Sequence, residues 1–286
     1  VQTRPRDNVM IISVTNFHMR HPKDRKEGMK EFADWAGISK NIAWRPNLGN
    51  QAGLQWALPD VPFKQAMEDF RFVADRGASA IFFDTLFEHW APLAPYYYLI
   101  AQLAWDPKAD GNAILEDYFA RCYGPAAPEM KKYWKLMEDT RQRLVDSVES
   151  RFRVINVDQY FNAEVIAKAE GHLAEAQKLA AAVPKYAARV EFTNCGFRFA
   201  KSIVEIRSLM KKYEESKLKD KELEKTILGK WDDLTKMASS FPESAINLRR
   251  LTPGKKGTNR MNGLHPSSPV SKKMLRDISR SGLDLD

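Results

Sequence analysis

Ala78-Ser-Ala-Ile-Phe-Phe-Asp-Thr-Leu-Phe-Glu-His-Trp90 is the stretch on which the fold turns. Its first six residues form a short apolar run with a β-branched residue and two aromatics, which reads as a buried strand ending at Phe83. Asp84, Glu88, His89 and Trp90 then leave the strand within seven residues. Two carboxylates, an imidazole and an indole at one strand's carboxyl end is the way α/β barrels present chemistry, because the loops there build the site.

Working outward, the first 105 residues alternate strand and helix patterns. Val9-Met-Ile-Ile-Ser-Val14 is a continuous apolar run, expected to be a strand covered on both faces. Residues 24–36 carry a helical stripe of Met29, Phe32, Ala33 and Trp35, and Asn41 to Trp44 reads as a second strand. A long loop with Pro46, Asn47, Gly49 and Gly53 follows. Phe63 to Arg76 is an amphipathic helix stopped by Gly77. Strand, helix, strand, helix, strand predicts right-handed βαβ units and a parallel sheet. From Ala94 onward only helices are read, near 94–104, 111–122, 126–148, 162–182, 185–213 and 219–239, with Asp158 and Asn162 as candidate caps for the fourth of these. Their stripes, such as Met130, Tyr133, Trp134 and Met137, predict the core of a helical bundle. Trp105 and Trp134 are both expected to pack inside.

The fold class is therefore α/β followed by all-α. Three parallel strands cannot close a barrel, which needs about eight. The chain is expected to be a partial (β/α)8, TIM-barrel-like segment over residues 1–108 whose N-terminal strands lie before Val1. A helical bundle over 109–245 and a loosely ordered basic tail over 246–286 complete the expected division.

Composition narrows the partners. The 286 residues are 44% hydrophobic with seven Trp, enough for a real core. No apolar run approaches the roughly 20 residues of a membrane helix, so no membrane partner is expected. The net charge of +8 gathers in Arg249 to Arg280, where the only acid is Asp277. Without interleaved aromatics to stack bases, that tail reads as a solvated extension, and nucleic acid is not the expected partner. Cys122 and Cys195 sit in helical patterns and read as free thiols, with no zinc spacing around them. No GxGxxG, GK[ST] or GxSxG motif is present, and no cofactor is expected. Oligomeric state has no sequence signal.

Asp84-Thr-Leu-Phe-Glu-His-Trp90, Tyr96-Tyr-Tyr-Leu-Ile-Ala-Gln-Leu-Ala-Trp-Asp-Pro107 and Leu115-Glu-Asp-Tyr-Phe-Ala-Arg-Cys-Tyr-Gly-Pro-Ala-Ala127 resemble the DUF4838 family. These are bacterial proteins related to α-glucuronidase-type and hexosaminidase-type glycoside hydrolases, and the resemblance extends over roughly residues 8 to 245. It implies that Val9 to Trp105 is the closing part of a (β/α)8 barrel. It also implies that the general acid leaves a strand upstream of Val1, and that the protein is periplasmic or secreted.

Glycoside hydrolysis needs two carboxyl groups flanking one bond. Asp84 and Glu88 are the local candidates, close together only if a helical turn follows Asp84; otherwise Asp84 caps the turn and Glu88 is a loop acid. Asn16 and His18 leave the first strand, and Trp44, Arg45 and Asn47 leave the second. With Trp56, His89 and Trp90 they suit sugar binding: Asn and Arg donate to hydroxyls, Arg45 can fork onto a uronic acid, and the indoles cover the carbon face of a pyranose. Each also has an ordinary reading in packing or loop hydrogen bonding. His18 with His21 is a weak metal pair, so no metal is assigned. The leading expectation is a glycoside hydrolase acting on O-glycosyl bonds of an oligo- or polysaccharide containing uronic acid or hexosamine. The alternatives are a non-catalytic glycan-binding protein, or a helical interaction module with a basic tail.

Overall fold

The computed structural model describes residues 4–15, 17–18, 22–46, 57–83, 86, 88–147, 157–247 and 272–273. Three short strands, β1 (Ile11–Ser13), β2 (Ile42–Trp44) and β3 (Ala78–Ile81), form one parallel sheet in the order β1-β2-β3. Helices α1 (Pro22–Ile38) and α2 (Phe63–Ala74) make the two crossovers. Ile11 lies opposite Ile42, and Ser13 opposite Trp44. Between β2 and β3 the register slips after Ile42, so that Ala43 meets Ala80 and Trp44 meets Ile81.

With side chains alternating across the sheet, Ile42, Trp44, Ile81 and Phe83 turn toward the helices. There Trp44 stacks on Phe17 at 4.9 Å and stands edge-on to Phe70 at 5.5 Å. Ile12, Val14 and Phe82 turn the other way and are exposed, Ile12 at 53% and Phe82 at 56%. The continuous apolar runs of β1 and β3 predicted strands covered on both faces. The described residues cover one face only, because both crossover helices lie on the same side.

Beyond β3 come α3 (Trp90–Trp105), α4 (Gly111–Tyr123), a 3-10 turn (Gly124–Ala126), α5 (Ala127–Ser147), the short α6 (Val157–Tyr160), α7 (Ala163–Ala180), α8 (Pro184–Glu215) and α9 (Lys221–Ser239). The expected helices are all present. Asp110, Asn162 and Asp220 accept backbone N–H bonds at the starts of α4, α7 and α9, each cap contributing about 1 kcal/mol. The helix expected from Ala94 starts four residues earlier, through Pro92. Proline is tolerated in the first turn, where backbone N–H groups have no helical acceptor.

Most of the buried apolar residues form one cluster, from Phe17 and Phe70 through Tyr96 and Tyr123 to Trp134, Phe197 and Ile246. Gly196 on α8 lets that helix approach α3 closely, since a Cβ there would stand 2.7 Å from the Pro92 nitrogen. Trp134 is buried as expected, but Trp105 is 92% exposed. It is the last residue of α3, where its stripe runs out past the neighbouring helices.

Candidate functional site

β3 continues one residue past its ladder, with the Phe82 N–H donating to the Trp44 carbonyl at 2.8 Å. The chain then reaches Glu88, whose φ of +59° is left-handed. A non-glycine residue there is strained by on the order of 1 kcal/mol or more, and such residues gather at functional sites. Glu88 is exposed, with its carboxylate accepting from the Asn247 side-chain amide at 2.6 Å. His89 is fully buried behind it, and its Nδ1 accepts from the Asn247 backbone N–H at 3.1 Å. Trp90 opens α3, stands edge-on to Tyr97 at 5.1 Å and keeps 42% of its surface exposed. An acid, an imidazole and an accessible indole thus stand side by side at the carboxyl end of a parallel strand.

Arg45 follows β2 with its guanidinium 6.0 Å from the Phe82 ring, on the open face of the sheet. Glu88, Trp90 and the half-buried Arg45 are therefore the accessible members of the expected set, with the exposed Phe82 ring beside Arg45. Asp84, Asn16, Asn47 and Trp56 fall outside the described residues, as does His21.

Trp44 and His18, expected at a sugar pocket, are instead closed inside the core. Trp44 has no exposed surface, because the two-residue period of β2 turns it toward the helices with Ile42. His18 bonds through Nδ1 to the buried Asp69 carboxylate at 2.7 Å and through Nε2 to the Tyr96 hydroxyl at 2.7 Å. In the neutral ring Nδ1–H donates to the Asp69 carboxylate, leaving Nε2 to accept from the Tyr96 hydroxyl. Arg25 also donates to Asp69, and burial pushes the Tyr96 phenol well above its ordinary value. This network ties β1, α1, α2 and α3 together beneath the sheet. An acid on the apolar stripe of α2, between Ala66, Phe70 and Val73, was its one signal in the sequence.

Asn247 had no such signal, since it lies 159 residues from Glu88. No group of three or more His, Cys, Asp or Glu residues able to hold a metal occurs among the described residues. Cys122 and Cys195 are free, as expected. Burial raises both thiols, the wrong direction for a nucleophile.

Fold and site together define a protein with a small parallel α/β layer, chemistry-bearing side chains at its strand ends, and a helical bundle continuing its core. Residues 1–135 match the family model described as "Domain of unknown function (DUF4838)", the family that the motifs in this stretch resemble. The match ends within α5, well short of the helices to which the resemblance was drawn. No curated protein and no solved structure matches the chain.

Proposed function

We propose that this chain is part of a carbohydrate-active protein of glycoside hydrolase type, with sugar held at the carboxyl ends of its parallel strands. The observation that carries this is the Glu88–His89–Trp90 cluster. A strained acid anchored by an amide donor stands beside an accessible indole, the pairing of groups that a pyranose ring and its glycosidic oxygen need. Trp90 stacks on the carbon face of the sugar, Glu88 serves as one of the two carboxyl groups, and Arg45 favours a uronic acid or another acidic sugar. Asp84 remains the second local acid.

The open sheet face supports a larger barrel. All-parallel sheets occur almost only with both faces covered. Ile12, Val14 and Phe82 are the large apolar side chains expected to fill a barrel interior, here facing outward. In this view further strands of a (β/α)8 barrel cover that face and bring the other catalytic carboxyl group. The protein then works in the periplasm or outside the cell, where polymeric glycans are met.

The test is hydrolysis and binding of uronic acid- and hexosamine-containing oligosaccharides by the full-length gene product. Glu88→Gln is expected to lower hydrolysis at least 100-fold with sugar affinity kept, and Trp90→Ala to weaken affinity about tenfold. Sugar binding without released reducing ends, unaltered by Glu88→Gln, makes it a glycan-binding protein instead. Unchanged hydrolysis and binding in both variants removes this cluster from the site.

A further inference from the structure

The chain that leaves α9 returns to the end of β3. The Trp90 N–H donates to the Ser244 carbonyl at 3.2 Å, and the Ala91 N–H to the Ala245 carbonyl at 3.1 Å. These are first-turn donors of α3, which no carbonyl of their own helix can satisfy. Ala245 is fully buried and packs with Ala91 and Cys195, so the returning segment is built into the fold. Its next contact is Asn247, which reaches two adjacent residues of the candidate site at once.

We infer that Asn247 is a positioning residue of that site, supplied by the far end of the chain; this rests on the proposed role of Glu88. Its two bonds do different work. The side-chain amide, donating to Glu88 Oε2 at 2.6 Å, fixes where the carboxylate points despite the left-handed backbone beneath it. The backbone N–H, donating to His89 Nδ1 at 3.1 Å, makes that nitrogen an acceptor. A neutral imidazole accepting at Nδ1 carries its proton on Nε2. Asn247 therefore sets the direction of the acid and the tautomer of the imidazole behind it. It follows that the helical bundle completes the site and does not merely support it, because α9 delivers the segment that holds Asn247.

The two bonds can be separated experimentally. Asn247→Ala deletes the amide and keeps the backbone donor, while Asn247→Asp keeps the shape and sets a second carboxylate against Glu88. Both are made in the full-length protein and assayed on 4-nitrophenyl glycosides of glucuronic acid and N-acetylhexosamines, beside Glu88→Gln. A mispositioned group costs on the order of 100-fold in rate, so kcat should fall about 10- to 100-fold in both Asn247 variants with KM within about twofold and Tm within a few degrees. If the wild type binds sugars without cleaving them, the same variants should raise the dissociation constant about tenfold. Long-range proton–nitrogen spectra of the wild type should show His89 as the Nε2–H tautomer, a signature that does not depend on activity. A normal kcat or affinity in Asn247→Ala, with Glu88→Gln impaired, overturns the positioning role alone, and so does an Nδ1–H tautomer at His89. A harmless Glu88→Gln overturns the site itself, and this inference with it.

Discussion

Asp69 sits in the middle of α2 with no exposed surface, and it is the charge on which the underside of the sheet depends. It accepts from His18 at 2.7 Å and from Arg25; without it His18 loses its carboxylate partner and Arg25 keeps only the exposed Glu68. Breaking a buried charged pair by deleting one partner is strongly destabilising. Asp69→Ala should therefore lower stability by about 3–5 kcal/mol by denaturant unfolding, with His18→Ala costing less because no net charge is stranded. Glu138 is the opposite case. Burial raises its carboxyl above the ordinary value, against the Lys64 N–H that its Oε1 accepts at 2.8 Å at the start of α2. A carboxyl raised on folding holds its proton more tightly in the native state. Its charge then opposes folding above the native pKa, and that opposition fades as pH falls through it. Glu138→Gln keeps the acceptor without the charge. It should melt higher than the wild type at pH 7, with the gap closing toward pH 4. Glu138→Ala, which loses the acceptor, should fall below Glu138→Gln by about 1 kcal/mol.

At the scale of elements, Gly196 connects the bundle to the site. A methyl group there would press on the backbone of Ala91 and Pro92, one residue from Trp90. Gly196→Ala should cost about 1–3 kcal/mol, as overpacking does, and should disturb sugar binding more than the equally helical Gly171→Ala, which meets open space. Comparing thermal midpoints and affinities of the two variants checks this. Helices and strands were legible in the sequence because their stripes and turn residues are local. Asn162 was found as a cap for the same reason, since it bonds Val165 three residues on. What could not be read is anything decided across the fold. The burial of Trp44 depends on which face of β2 receives helices, the exposure of Trp105 on where the neighbours of α3 end, and the role of Asn247 on the return of the chain after α9. The candidate site was legible as a run of residue types at a strand end. Which of its members are accessible was not.

For the whole molecule, the open sheet face has a physical consequence. Val9, Met10, Ile12, Val14 and Phe82 are large apolar side chains left exposed in and around the two outer strands of the sheet. Such a patch marks a surface meant to be covered, or one that aggregates. The chain of residues 1–286 alone should bind a hydrophobic dye and self-associate as concentration rises. Ile12→Lys with Phe82→Lys should abolish both, with stability changed by no more than about 0.5 kcal/mol, since neither side chain is buried there. A dye signal that survives both substitutions places the sticky surface elsewhere. If further strands cover this face, as proposed, the same substitutions should instead be severely destabilising, because two charges would then be buried in apolar surroundings.

The most direct measurement is a crystal structure of the full-length protein with a bound oligosaccharide. The proposed sugar site requires parallel strands covering Ile12, Val14 and Phe82, a sugar ring within about 4 Å of the Trp90 indole, and the Glu88 carboxylate within hydrogen-bonding distance of the sugar. A sheet face packed under helices, with the sugar bound away from Glu88 and Trp90, would contradict it.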